Sequence, residues 1–133
     1  MLKSILYGLC SALLLTVSLA QVTHAADVVI IAHPATTISA SEVKEVFLGG
    51  KQFAGKTKLI PVDNATLQVD FLSRFIQLDV NKYNGVWIKK SFRDGLIPPV
   101  VKSDDKEVIE FVQRRPGAIG YVSSIPSGVK VIR

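Results

Sequence analysis

The sequence has few of the residues that build disulfides, thiol active sites and structural metal centres. It contains one cysteine, Cys10, and two histidines, His24 and His33. One cysteine cannot close a disulfide within the chain, and three such scattered residues do not form a Cys/His zinc set. Catalytic signatures such as G-x-S-x-G, H-E-x-x-H and a calcium-binding loop are also missing, as is a defensible pair of carboxylates. We therefore expect a protein that is not an enzyme and that holds neither a metal nor another cofactor.

The excess of positive charge is small. Lysine and arginine together number 16 and aspartate and glutamate 11, which gives a formal net charge of +5. The two signs are interleaved along the chain, without the large basic stretch that is typical of a nucleic-acid-binding protein. This charge favours attraction of small anions and argues against a nucleic-acid partner.

The first residues have the pattern of a secretory signal peptide. Lys3 precedes an uncharged apolar run over residues 5–20, and the small residues of Thr23-His24-Ala25 follow. This pattern predicts cleavage after Ala25, although an uncleaved membrane anchor is the alternative. Cleavage would remove residues 1–25 and leave 133 − 25 = 108 residues. Residues 26–133 would then form one periplasmic domain without a membrane anchor.

Strand-like segments alternate with helix-like segments after this point. The β-branched run Val28–Ala32 predicts a central strand that is covered on both faces. Further extended segments are predicted over residues 58–62, 97–101, 119–122 and 129–132. Helices are predicted after a capping box formed by Ser39 and Glu42, along the stripe Leu67, Phe71, Phe75 and Leu78, and from the N-caps Asp79 and Asp104. The alternation predicts an α/β fold with three layers and a mixed sheet.

The stretch Val108–Val122 predicts a helix that ends at a sharp corner and turns directly into a strand. Pro116 excludes the α conformation from the residue before it, so the helix should end at Arg115. Gly117 can adopt the positive φ angle that the corner requires. The strand that follows has no side chain at Gly120, so another group could approach the backbone closely there.

The segment Gly50–Thr57 matches the nucleotide-binding pattern G-x-x-x-x-G-K-T. That pattern binds phosphate when a strand leads into the loop and a helix starts at its end. Here a helix precedes the segment and a strand follows it. We therefore expect a glycine-rich loop with solvated lysines and no nucleotide site.

The best candidate for an anion site is the start of the helix at residue 67. Asn64 or Thr66 can cap this helix, and the backbone amides of a helix start carry partial positive charge. The segment Asp63, Asn64, Ala65 and Thr66 is therefore the predicted site, with ordinary capping as the alternative interpretation. Asp63 would repel a dianion unless it accepts a hydrogen bond from a protonated phosphate oxygen.

Several of these segments together resemble a known family. The run PGAIGYV follows an amphipathic helix, VFLGGK lies upstream, and the single tryptophan, Trp87, lies between them. In this order they resemble the phosphate-binding proteins of bacterial ABC transporters, and more specifically short single-lobe members of that type 2 periplasmic-binding-protein family. The resemblance covers most of the chain after residue 37.

The resemblance implies one lobe of that fold and a role in binding a small anion such as phosphate. The family places a longer loop with an arginine and a Ser-Gly-Thr run at the position of Asp63–Thr66, and this chain has a shorter loop. The run Ser91–Gly95 matches a family segment near the binding cleft, which makes Ser91 and Arg93 further candidates. An ABC transporter permease or another periplasmic protein would be the partner. The alternative is a periplasmic protein-interaction module that kept the lobe and lost the ligand.

Overall fold

The computed structural model describes residue 18 and residues 27–133. The rest of the predicted signal peptide lies outside the described residues. The strands are β1 Val29–Ala32, β2 Phe53–Ala54, β3 Thr57–Lys58, β4 Ile60–Asn64, β5 Val100–Lys102, β6 Ala118–Val122 and β7 Lys130–Ile132. The α-helices are α1 Val43–Phe47, α2 Gln68–Phe71, α3 Val80–Asp94 and α4 Asp105–Arg114, with a 3-10 turn at Ala40–Glu42 and a π turn at Leu72–Ile76. None of the helices in the described part is long and apolar enough to cross a membrane.

Five strands form one mixed sheet in the order β5-β4-β6-β1-β7. Strand β4 runs parallel to β5 and β6, whereas β1 runs antiparallel to β6 and β7. The predicted mixed sheet is confirmed, and β1 is an interior strand that pairs with β6 and β7, as predicted. The middle position belongs to β6, whose five residues are all buried.

Helices cover both faces of this sheet. On one face α1, the α2 segment and α3 pack their apolar side chains, among them Phe47, Phe71 and Trp87, against the sheet. On the other face α4 buries Val108 and Val112 against β1, β4 and β6. The three-layer α/β prediction is therefore confirmed.

The predicted long helix along Leu67, Phe71, Phe75 and Leu78 is wrong. Helix α2 has four residues and continues as the π turn, in which the Gln77 N–H donates to the Leu72 carbonyl oxygen at 2.6 Å. The wider turn rotates the following side chains, so Leu72 and Ile76 are buried while Phe75 is 38 % exposed. Gln77 then ends the segment with a φ angle of 63°.

The corner after α4 forms as predicted. Arg115 has left the helix with a φ of −122°, and Gly117 has a φ of +90°. The Gly117 N–H donates to Thr36 Oγ1 at 2.8 Å, and the Gly117 carbonyl oxygen accepts from the Ile60 N–H at 2.8 Å. The corner is therefore fixed to the two neighbouring segments before β6 begins.

The segment that matches the nucleotide-binding pattern is a loop followed by the two-stranded β2–β3 hairpin. Gly55 makes the hairpin turn with a φ of +60°. The segment leads into β4 and not into a helix, so it lacks the helix start that would bind a nucleotide phosphate. The sequence did not predict this hairpin, and the expectation of solvated lysines is wrong for Lys51, whose Nζ lies 3.0 Å from Glu42 Oε1.

Candidate functional site

The carboxyl end of β4 carries two buried polar side chains. Asp63 is 1 % exposed and Asn64 is 0 % exposed, although the sequence predicted a loop over residues 63–66. Both residues continue the strand because Asp63 pairs with Val101 and Asn64 with Lys102 of the parallel strand β5. Open α/β sheets place ligand sites beyond the carboxyl ends of their strands, and these two side chains lie there.

Asp63 accepts hydrogen bonds from two buried tyrosines. The Tyr83 hydroxyl donates to Oδ2 at 2.8 Å, and the Tyr121 hydroxyl donates to Oδ1 at 2.9 Å. Burial raises the pKa of the Asp63 carboxyl above its ordinary value of 3.8, and the tyrosine hydrogen bonds offset this only in part. Burial and the neighbouring carboxylate also raise the pKa of both tyrosines, which keeps them protonated as donors.

Asn64 connects three elements of the fold. Its Nδ2 donates to Asp105 Oδ1 at 2.7 Å and to the Tyr121 carbonyl oxygen at 3.1 Å. Asp105 also accepts from the Ser123 backbone N–H at 2.9 Å and from its hydroxyl. Burial alone would raise the pKa of Asp105, but the hydrogen bonds from Ser123 and Asn64 outweigh it and lower that pKa. Asn64 therefore ties β4 to β6 and to the start of α4.

The backbone amides at the predicted anion site donate within the protein. The Ala65 N–H donates to the Lys102 carbonyl oxygen at 2.9 Å, and the Thr66 N–H donates to Asn64 Oδ1 at 3.1 Å. The Thr66 hydroxyl donates to the same Asn64 oxygen at 2.6 Å, and the Leu67 N–H donates to the Asn64 carbonyl oxygen at 3.1 Å. All of these donors already have acceptors within the protein, so none of them is free to bind an anion in this geometry. The anion-binding role of Asn64, Ala65 and Thr66 stays a prediction.

Asp63 and Ser91 line one cleft of about 640 Å³, which we call the Asp63 cleft. The Ser91 Oγ atom is buried and has no hydrogen-bond partner in the described part of the chain. The structure thus brings together two of the residues that the sequence singled out. The remaining lining residues are Gln68, Tyr83, Asn84, Trp87, Ile88, Phe92, Pro98, Pro99 and Val101.

The sequence analysis did not identify Tyr83 and Trp87 as residues of the cleft wall. Both are largely buried, and Trp87 Nε1 donates to the Phe47 carbonyl oxygen at 3.0 Å. The missed signal is the spacing of Tyr83, Trp87 and Ser91 at intervals of four, which puts them on one face of α3. One face of this helix therefore both packs on the core and forms a wall of the cleft.

Arg93 lies outside the Asp63 cleft. Its side chain is 76 % exposed, and Nε is 3.6 Å from Asp94 Oδ1. It lines a separate hollow of about 350 Å³ with Ile88, Lys89 and Phe92. The described residues that line the Asp63 cleft include no lysine, arginine or histidine, and the described part holds no cluster of three or more metal-ligating side chains.

These features define a single α/β lobe with a cleft at the carboxyl end of a parallel strand. No family model matches the chain, and no curated protein sequence matches it. Solved structures with a similar fold include an ABC-type phosphate transport receptor from Vibrio cholerae, at TM-score 0.51 and 13 % identity over 81 % of this chain and 46 % of that one.

Two further similar structures belong to the same class of transport protein. A putative phosphate ABC transporter substrate-binding protein with bound phosphate, from Clostridium perfringens, has TM-score 0.59 and 12 % identity, over 81 % of this chain and 44 % of that one. PstS from Borrelia burgdorferi has TM-score 0.53 and 19 % identity, over 80 % of this chain and 46 % of that one. The chain therefore has the fold of a single lobe of the type 2 periplasmic-binding proteins, and it spans less than half the length of these structures.

Proposed function

We propose that this chain is an exported solute-binding lobe that receives a small solute in the Asp63 cleft. The observation that carries the proposal is the pairing, in one cleft, of a buried carboxylate at the end of β4 with the Ser91 hydroxyl, whose oxygen has no partner among the described residues. An unused buried hydroxyl costs stability unless something else bonds to it. Support also comes from the three phosphate-transport proteins that share the fold.

The solute we propose is a protonated oxyanion such as hydrogen phosphate. A phosphate oxygen that bears a proton can donate to Asp63, and the Ser91 hydroxyl can donate to a second phosphate oxygen. The cleft offers no cation among the described residues, and the amides of residues 65–67 are engaged. The affinity should therefore be low, because millimolar binding already corresponds to about 4 kcal/mol.

We expect calorimetric titration of the monomer at neutral pH to give a phosphate dissociation constant in the millimolar range or weaker. Binding should strengthen as the pH falls, because a larger share of the phosphate then carries a second proton and a single negative charge, which Asp63 repels less. Sulfate is the matched control, since it has no proton to donate to Asp63 and should bind more weakly. Micromolar phosphate affinity at neutral pH, or equal affinity for sulfate and phosphate, would contradict this mode of binding.

Export is the second part of the proposal. If residues 1–25 form a signal peptide, the exported protein should have the mass of residues 26–133 and should be released with the periplasmic contents. Intact-mass spectrometry of the fractionated cells measures this. A membrane-bound form that retains Met1 would contradict cleavage and favour the alternative of an anchor.

A specific observation favours a second candidate function, that of a protein-interaction module. Three apolar side chains that line the Asp63 cleft are largely exposed, namely Ile88 at 69 %, Phe92 at 95 % and Val101 at 57 %. Exposed apolar side chains that occur together typically mark a binding surface. A transporter permease or another periplasmic protein would be the partner in this case.

A further inference from the structure

The three exposed side chains Ile88, Phe92 and Val101 form a surface that we call the apolar rim. Ile88 and Phe92 are one helical turn apart on α3, and Val101 lies on β5. These three line the Asp63 cleft together with Pro98. The apolar rim is therefore continuous with the mouth of the cleft.

The apolar rim is not needed to hold α3 on the sheet. The packing of this helix comes from its other face, where Tyr83 and Trp87 are buried in the core. Phe92 is almost fully exposed, although phenylalanine is among the side chains that gain most from burial. The packing of the described residues therefore does not account for its position.

Positive charge flanks the apolar rim on the same helix. Lys89 and Arg93 line a hollow with Ile88 and Phe92, and Lys90 lies next to Lys89. Asp94 is the one carboxylate in an ion pair with these cations in the described part of the chain, at 3.6 Å from Arg93, and that pair is largely exposed. Because exposed pairs contribute little, the flank is effectively cationic.

We propose that the apolar rim docks an amphipathic segment of a partner protein, in which aspartate or glutamate flanks the apolar face. The apolar contact would supply affinity, and the acidic flanks would pair with Lys89 and Arg93. A second copy of this chain fits less well, because a symmetric contact would place these cations against each other on a chain that already carries a formal charge of +5.

The test uses two synthetic amphipathic helical peptides with the same leucine face, one flanked by glutamate and the other by lysine. Fluorescence anisotropy with the mature chain, in buffer without phosphate, keeps this test separate from solute binding in the cleft. We expect the acidic peptide to bind and the basic peptide to bind at least about tenfold more weakly. Phe92→Glu should lower the affinity for the acidic peptide by at least about tenfold, because it removes the largest apolar contact.

The double variant Lys89→Glu/Arg93→Glu is the sharper probe, because it keeps the apolar rim and reverses the flank. This variant should reverse the charge preference, so that the basic peptide binds better than the acidic one. Ile125→Glu is the matched control: Ile125 is 59 % exposed, lies in the loop between β6 and β7, and should leave both affinities unchanged. Circular dichroism verifies that each variant is folded.

Each of the other outcomes overturns the proposal. Equal binding of the two peptides would show that the apolar rim does not select for acidic flanks. No binding of either peptide would show that it does not dock such a segment. Self-association in sedimentation experiments that Phe92→Glu abolishes would assign the apolar rim to a second copy. Binding to vesicles rich in anionic lipid, without binding to the acidic peptide, would assign it to a membrane surface. A phosphate titration of the unmodified chain tests solute binding in the cleft separately from peptide binding.

Discussion

Alanine in place of Gly117 is expected to lower the free energy of unfolding by at least about 4 kcal/mol, which is a large part of the stability of a domain of this size. Gly117 has a φ of +90°, a conformation that side chains with a Cβ rarely adopt. An added Cβ would also overlap the backbone carbonyl oxygen of Lys58. Urea denaturation followed by circular dichroism measures the loss.

The corner has no simple way to move away from the added atom. The Gly117 N–H is bonded to Thr36 Oγ1, and its carbonyl oxygen accepts from the Ile60 N–H at the start of β4. Relaxing the φ angle would break one or both of these hydrogen bonds. Because the obstacle is the backbone of Lys58, no change of side-chain rotamer relieves the contact.

Two other glycines provide graded controls. At Gly120 an added Cβ would lie 2.7 Å from Val108 Cγ1, a side-chain atom that can shift, so we expect Gly120→Ala to cost about 1–3 kcal/mol. At Gly85, inside α3, no atom lies within 4 Å of the added Cβ. Gly85→Ala should therefore stabilise the domain by about 0.5–1 kcal/mol through helix propensity. A Gly117→Ala protein that melts like the wild type, or a reversed order of the three, would disprove the account of this corner.

Local sequence rules predicted the parts of the fold that depend on neighbouring residues. Asp79 and Asp104 cap α3 and α4 as expected, through bonds from the Lys82 N–H at 2.8 Å and the Glu107 N–H at 3.0 Å. The corner at Gly117 follows from Pro116 in the same way. In each case the residues that determine the conformation lie within a few positions of one another, so a single sequence contains the information.

The end of β4 could not be predicted in this way. Asp63 and Asn64 are typical turn residues, yet Tyr83 and Tyr121 provide donors for Asp63 from 20 and 58 positions away in the sequence. The π turn at Leu72–Ile76 escaped prediction because a stripe of apolar residues at helical spacing assumes a constant number of residues per turn. The structure therefore places Asp63 and Asn64 in a strand where the sequence predicted a loop, and their role in binding an anion stays a prediction.

The second large effect is expected at Asp63. Asp63→Ala would leave the hydroxyls of Tyr83 and Tyr121 without their acceptor, although both tyrosines are almost fully buried. An unsatisfied buried hydrogen-bonding group costs about 1–3 kcal/mol, so the two hydroxyls together should cost about 2–6 kcal/mol at neutral pH. Urea denaturation measures this change, and a variant as stable as the wild type would show that the tyrosines do not depend on Asp63.

Asp63→Asn separates hydrogen bonding from charge. The asparagine oxygen can accept from one tyrosine and its amide group can donate to the hydroxyl oxygen of the other, so this variant should lose less stability than Asp63→Ala. It also has no carboxyl to ionise. A comparison of Asp63→Asn with the wild type across pH therefore isolates the contribution that the ionisation of Asp63 makes to stability.

The sign of that contribution follows from the raised pKa of Asp63. The folded protein holds this proton more tightly than the unfolded chain, whose carboxyl has the ordinary value of 3.8. The stabilisation that the tightly held proton of Asp63 contributes is therefore fully present below pH 3.8. It is lost as the pH rises through the pKa of Asp63 in the folded protein. The wild type should lose stability relative to Asp63→Asn over this window, and the difference should become constant above it.

Carboxyls with a lowered pKa act in the opposite direction but do not obscure the result. The pKa values of Glu42, Asp105 and Glu107 are lowered in the folded protein, so their stabilisation is lost as the pH falls. Both proteins carry these residues, and their contributions cancel in the difference. A difference that stays flat from about pH 3 to pH 8 would mean that Asp63 ionises as it does in the unfolded chain. The hydrogen bonds from Tyr83 and Tyr121 would then offset the effect of burial completely, and burial would give Asp63 no added affinity for a phosphate proton.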